Sequence, residues 1–438
     1  MIRCFDKNEY KDKLRSAEEA VRCIKSGAHV YVGTASSVAY GLCDALAGRK
    51  NELENVKILS ALAGRPSDVF ADTTGEHFRP SAYFLGGQER KAAAAGFGDF
   101  TSFHLSQVEL WCASEGRADV AFFEVSEPDE NGYMSYGPSG IALHHCIKDI
   151  AKTVICQVNK NVPYVFGERN LIHISEADMI VEADTPMATL EEMPGDEIVQ
   201  AMSKMIVDLV PDGATVQLGL GGIASAVGYG LKDKNDLGIH TELMTESLMY
   251  LMKEGVVTNK KKSFMPGKSV ASFAFGSNEL YKYLDKNEDF YFAPFSMVND
   301  VRTIAQNDNM ISVNTAMSID LFGQVAADSI GTKQQSGVGG QLDFVRGAQM
   351  AKGGKSFIAM ASTQNSKTKG SISKIVSAFP PGTAVTTPRS DVQYVVTEYG
   401  CINLKELNMK DRVRAMISLA HPDYRDQLTA EAKQFGML

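Results

Sequence analysis

Glu242 stands just past a polar His240-Thr241 pair, at the end of the short apolar run Leu237 to Ile239. Upstream lies Gly219-x-Gly221-Gly222-x-Ala224, running from a strand-like stretch into a helix-like one. This fits the dinucleotide-binding pattern, in which glycines let the backbone approach a ligand and the helix start offers free N–H groups to an anion. In a βαβ unit that turn and the end of the next strand lie side by side, at the carboxyl edge where α/β proteins bind ligands. Glu242 therefore has three readings. It is a solvated edge carboxylate, the ribose ligand of a nicotinamide oxidoreductase, or a nucleophile facing the glycine loop. The loop itself has a plainer reading as a tight strand-to-helix turn.

Two further stretches bear on the choice. "SGVGGQ" brings a second glycine cluster, Gly337 to Gly340, for which a hydride-transfer domain has no evident use. Two glycine-rich edges around one carboxylate suit a long, phosphate-bearing substrate and a developing oxyanion. "STQNSKTKGSISK" is polar and basic, with Lys367, Lys369 and Lys374; it reads as a phosphate-gripping loop or as a solvated one. Other chemistries find no support. H-E-x-x-H, C-x-x-C and metal-ligand spacings are missing, and so are a G-x-S-x-G elbow and a P-loop. His144-His145 read as packing or surface residues ahead of ligands, Trp111 as packing, and "KKK" (260–262) as a solvated turn. The 7 cysteines are scattered and read as free thiols of a reducing compartment.

The elements that must position these residues follow an α/β pattern. "AHVYVG", "VKILSAL", "DVAFFEV", "KTVICQV", "TVQLGLG", "MISVNTA", "KSFIAMA" and "VQYVVTEYG" are near-continuous apolar runs, as expected of parallel strands covered on both faces. Helical stretches such as "SAEEAVRCIKSG" and "GDEIVQAMSKMIVDLV" separate them. The two halves resemble each other. "GAHVYVGTASS" aligns with "GATVQLGLGGI", "DENG" ending at Gly132 with "DLFG" ending at Gly323, and "KTVICQVN" with "KSFIAMAS". Three matches in the same order argue for a duplicated domain. We expect domains at 1–190 and 191–438, divided in the acidic, proline-containing stretch 182–197. The 438 residues suit two or three domains, and 44% hydrophobic with 22% charged residues is the profile of a globular protein. A net charge of −9 without a basic run argues against nucleic acid as partner. The polar N-terminus lacks a signal-peptide core, and no apolar run is long enough to span a membrane, so a cytoplasmic protein is expected.

Taken together, "VQLGLGGI", "LGIHTE", "EGVVTNKKK", "DNMISVN", "SGVGGQLDFVRGA", "GTAVTTPR", "YVVTEYG" and "RVRAMISLAHPDYR" resemble the acetyl-CoA hydrolase/transferase family, nearest to its 4-hydroxybutyrate and butyryl-CoA:acetate CoA-transferases. The resemblance spans nearly the whole chain and is densest from about 211 to 425. It implies two tandem similar open α/β/α domains with mostly parallel sheets and the active site between them. It implies Glu242 as nucleophile, and oxyanion and CoA contacts at Gln217, Leu218, Gly219, Leu220 and Gly221. By position it extends the CoA contacts to Met317, Gly340 and Lys367. It decides against the oxidoreductase.

The activity implied is CoA transfer from a short-chain acyl-CoA to acetate by ping-pong chemistry through a glutamyl-CoA thioester. Acyl-CoA and a short-chain carboxylic acid are the partners, coenzyme A is a substrate, no cofactor is permanently bound, and a homo-oligomer (dimer or tetramer) is expected. Acyl-CoA hydrolysis on the same scaffold and a non-enzymatic CoA- or sugar-phosphate-binding protein are the alternatives. The sequence departs from the family at Ala224-Ser225, at Thr245-Glu246-Ser247 and in "GTASSVAYGL" (33–42), positions near the expected acyl pocket.

Overall fold

The computed structural model describes residues 5–71, 74–115, 117–192, 195–366 and 370–438. The chain divides into two compact units. One holds Met1–Glu191 with Val270–Val298, the other Glu192–Ser269 with Asn299–Leu438. The units differ from the expected 1–190 and 191–438 in that Val270–Val298 is grouped with the first.

In the first unit, β1 (His29–Thr34), β2 (Val56–Ala61), β3 (Phe78–Ala82), β4 (Asp99–Phe100), β5 (Ala118–Val125), β6 (Ala151–Asn159) and β7 (Met179–Ala183) form one sheet in the order β4-β3-β2-β1-β5-β6-β7. Every pairing in it is parallel. Helix α1 (Val108–Glu115) precedes β5, and α2 (His144–Ile150) leads directly into β6. The strand interiors are buried throughout, as their continuous apolar runs require.

The second unit opens with α3 (Glu197–Val207). Its N-cap Asp196 accepts from Val199 N–H at 2.9 Å, and Met202 and Ile206, one turn apart, are buried. There follow β8 (Thr215–Leu218), α4 (Gly222–Gly230), β9 (Gly238–Met244), α5 (Glu246–Lys253), β10 (Met310–Thr315), α6 (Gln341–Met350), β11 (Lys355–Ala359), β12 (Tyr394–Thr397), β13 (Gly400–Asn403) and α7 (Met409–Leu419). These strands run in the order β9-β8-β10-β11-β12-β13, parallel except for the last pair. "VQYVVTEYG", read as one strand, is a strand and a turn, because Thr397 pairs with Gly400 across a tight hairpin into β13.

The duplication is visible in detail. Both sheets reverse direction at the strand that opens them, between β1 and β5 and between β8 and β10. "DENG" and "DLFG" build the same turn. The Asp129 carboxylate accepts from Asn131 and Tyr133 N–H, and the Asp320 carboxylate from Phe322 and Gln324 N–H. Gly132 and Gly323 then take φ of 84° and 83°, a conformation that favours glycine. Ligands of open α/β sheets bind outside the carboxyl ends of the strands flanking such a reversal. In the second unit those ends carry Gln217 to Gly221 on one side and Asn314 to Met317 on the other.

Candidate active site

The strand register brings the polar residues to one place. Thr215 pairs with Gly238, and Gln217 with Ser312. Side chains alternate across a strand, so Gln217, Ser312 and Asn314 share a face with His240 and Glu242. The β8–β9 pairing reaches only Ile239, so β9 carries Glu242 past the end of β8, to the level of the glycine loop. Glu242 is thus within a strand running on to Met244, not beyond its end.

Three groups define the state of this carboxylate. The Nδ2 of Asn299 donates to Glu242 Oε2 at 2.7 Å, and the Gly340 N–H also donates to the carboxylate. Asp343, one turn into α6 and buried, presents a like charge. Burial is the largest influence and pushes the Glu242 carboxyl up to about 7; the two donors lower it and Asp343 raises it. Its proton affinity is therefore raised above that of an ordinary carboxylate. His240, fully buried beneath it, packs against Phe264 and Phe344.

The two glycine clusters serve for different reasons. Gly221 has φ 116° and ψ 171°, which a side chain would strain, and it begins α4 with no side-chain cap over the first-turn N–H groups. Gly340 has an ordinary φ of −99°. A Cβ there would land on Glu242 Oε2 and Asn299 Nδ2, so only glycine allows its N–H to reach the carboxylate.

Gln217 is pinned through its carbonyl oxygen. Ser312 Oγ donates to Oε1 at 2.7 Å and Asn314 Nδ2 donates at 3.3 Å. Neither bond uses the amide NH2, which stays a preset donor on the Glu242 face. A fixed amide, an uncapped helix start and a half-buried carboxylate with raised proton affinity suit covalent catalysis on a carbonyl whose oxygen becomes anionic.

Comparison with known proteins agrees. The model for the acetyl-CoA hydrolase/transferase N-terminal domain matches residues 2–191, and that for the C-terminal domain matches 276–432. The chain is 40% identical to the 4-hydroxybutyrate coenzyme A transferase of Clostridium kluyveri, over 97% of this chain and 98% of that one. The chain belongs to the acetyl-CoA hydrolase/transferase family. It is also 38% identical to the butyryl-CoA:acetate CoA-transferase of Anaerostipes caccae, covering 98% of this chain and 97% of that one. The crystal structure of RipA from Yersinia pestis superposes with a TM-score of 0.92 at 36% identity, over 99% of this chain and 100% of that chain.

For this acetyl-CoA hydrolase/transferase, the residues singled out from the sequence divide as follows. Glu242 and Gly340 are brought together, and Gln217 lies on the same sheet face as Glu242. Gly221 and the exposed Leu220 form the loop ahead of α4. The Gly219 N–H donates to Val313 O at 3.0 Å, so it is spent in the sheet and is no oxyanion donor. The Leu218 side chain is buried on the opposite face from Gln217. Met317 lies half-buried just past β10, its N–H donating to Ala326 O at 2.9 Å. Lys367 and Lys369 lie outside the described residues. Lys374 lies at the end of the basic loop, its Nζ donating to Ala316 O at 3.2 Å.

Asn299 and Asp343 were not foreseen. Asn299 is 57 residues from Glu242 in "SMVNDVR", a stretch with no periodic or motif signal. Asp343 stands in a quoted motif, yet only the α6 geometry reveals its nearness to Glu242. Two departures from the family prove to be one feature. Ser247 donates through N–H and Oγ to Glu192 at 3.4 and 3.3 Å, and Ser225 hydrogen-bonds the same carboxyl. Part of the C-terminal motif is structural. Arg412 ties three chain segments by donating to the carbonyls of Phe322, Arg389 and Leu404.

Proposed function

We propose that the chain moves CoA from a short-chain acyl-CoA, butyryl-CoA or 4-hydroxybutyryl-CoA, to acetate, with Glu242 as the covalent carrier. One observation carries this reading. A carboxylate with raised proton affinity is clamped by Asn299 and Gly340 at the carboxyl edge of the sheet, on the face where Gln217 holds a preset amide donor.

The Glu242 carboxylate attacks the acyl-CoA carbonyl, and collapse of the tetrahedral adduct expels CoA thiolate and leaves a mixed anhydride. The thiolate then attacks the glutamyl carbonyl, releasing the first acid as its carboxylate and leaving glutamyl-CoA thioester. Acetate reverses both steps and departs as acetyl-CoA. Each tetrahedral stage places negative charge on oxygen, where the Gln217 NH2 and the first N–H groups of α4 act as donors. The Glu242 carboxylate is neutralised on acylation, which relieves its repulsion with Asp343. Binding energy from the nucleotide end of CoA contributes at the reacting centre, with Met317 and Lys367 as the further CoA contacts. The same reading takes coenzyme A as a substrate, no resident cofactor, and a cytoplasmic homo-oligomer as the working form.

The test is mass spectrometry of the protein incubated with butyryl-CoA and no acceptor acid. A CoA adduct on the Glu242 peptide, discharged by acetate as acetyl-CoA, is expected. Free CoA with no adduct and no acetyl-CoA would replace transfer by hydrolysis, and an adduct on another residue would displace Glu242.

A further inference from the structure

A second cluster of reactive side chains lies in the first unit. On α1, Glu109 and Cys112 are one turn apart and share a face. At the start of α2, His145 and Cys146 are adjacent. One donor atom each of Glu109, His145 and Cys146 lies within 4.8 Å of the other two. His145 Nε2 is 3.3 Å from Glu109 Oε1 and 3.0 Å from Cys146 Sγ. The Cys112 thiol hydrogen-bonds that of Cys146 but is not one of this group of three donors.

We propose that Glu109, His145 and Cys146 form a binding site for a thiophilic divalent cation of the zinc type, joining α1 to α2, with Cys112 beside it. The donor set is one sulfur, one imidazole and one carboxylate, a mixture that suits zinc with a water in the fourth position. Bond lengths of about 2.0–2.3 Å put tetrahedral donors roughly 3.3–3.8 Å apart, so His145 and Glu109 already have the right separation. Cys146 has only to open by a few tenths of an ångström. Cys112, Cys146 and His145 are all buried, whereas Glu109 is half-exposed and forms the entrance. The His145 ring still has a buried Nδ1 without a hydrogen-bond partner among the described residues.

The surroundings fit a cation as well. Ser296 Oγ donates to Glu109 Oε1 at 2.8 Å and Arg169 Nη1 approaches the same oxygen at 3.4 Å, which holds the carboxylate over the thiols. The Cys146 thiolate and the Glu109 carboxylate carry two negative charges, which a divalent ion balances. Loading releases the Cys146 thiol proton to solvent. No spacing rule finds this site, because one donor comes from the first helix and two neighbouring residues from the second.

The test uses full-length, thiol-reduced, metal-stripped protein titrated with Co²⁺ as a spectroscopic probe and with Zn²⁺. One ion per chain is expected, with an intense thiolate-to-cobalt charge-transfer band and a raised Tm on adding Zn²⁺. Cys146→Ser should lose the band. Glu109→Gln, at an exposed position where folding is safe, should keep the band, weaken binding at least tenfold and reduce the Tm gain. A missing band, a band that survives in a folded Cys146→Ser protein, or Zn²⁺ affinity unchanged in Glu109→Gln overturns the site. Formation of a Cys112–Cys146 disulfide under peroxide, with no ion bound by the reduced protein, overturns it in favour of a redox pair.

Discussion

The Nδ2 of Asn299 donates to Oε2 of Glu242 at 2.7 Å, across 57 residues of sequence. Asn299→Ala removes it and leaves the Gly340 N–H as the remaining hold. A hydrogen bond to a charged group contributes about 1.5–3 kcal/mol, so kcat/KM for acyl transfer should fall at least tenfold. Steady-state kinetics with butyryl-CoA and acetate would decide it, and an unchanged kcat/KM would remove Asn299 from the site.

The pH dependence has a definite sign. Burial raises the Glu242 carboxyl to about 7 from an ordinary 4.5. The nucleophile is the ionised form, so kcat/KM should climb with pH and level off above about 7. Asn299→Ala, lacking a donor that favours the carboxylate, should shift the midpoint upward. Stability moves the other way. Between the unfolded value and about 7 the folded state holds the extra proton, so this group's contribution is present below that window and is lost as pH rises through it. Glu242→Gln should remove that slope from Tm measured at pH 5 and pH 8, besides abolishing transfer.

Gly340→Ala isolates the close approach. The backbone at Gly340 is ordinary for any residue, so strain in φ plays no part. The added methyl falls on Glu242 Oε2 and Asn299 Nδ2 and must push the carboxylate aside. Overpacking costs about 1–3 kcal/mol of stability, whereas a displacement of about 1 Å at a reacting group costs on the order of 100-fold in rate. We expect a folded protein by circular dichroism with activity down by roughly that factor. Near-normal activity would show that the carboxylate tolerates the shift.

Gln217→Ala tests the preset amide. Loss of one oxyanion donor costs about 3 kcal/mol, chiefly in kcat, with acyl-CoA KM little changed. Ser312→Ala should act in the same direction but more weakly, since Asn314 still donates to Gln217 Oε1. If Gln217→Ala raised KM alone, Gln217 would be a binding residue.

Much was legible beforehand. Continuous apolar strands alternating with amphipathic helices give a parallel α/β fold, and the collinear repeats give its duplication, because each repeat must bury the same faces. The matching "DENG" and "DLFG" were visible as a repeat, though the turn that both build was seen only in the structure. Glu242 beside its glycine loop was visible, being fixed by one βαβ unit.

The rest depended on residues brought together from distant parts of the chain. Sequence alone determined which strands form and that an acid stands at the carboxyl edge beside a glycine loop. The tertiary structure decided that Asn299 and Gly340 hold that acid, that Asp343 opposes its charge, and that the Gly219 N–H is spent in the sheet. It also gathered Glu192, Ser225 and Ser247 into one group, and Glu109, Cys112, His145 and Cys146 into another. The physical reason is range. Periodicity and turn chemistry act over a few residues and can be read from them, whereas burial, a donor at 2.7 Å or a like charge nearby is set by which elements pack together.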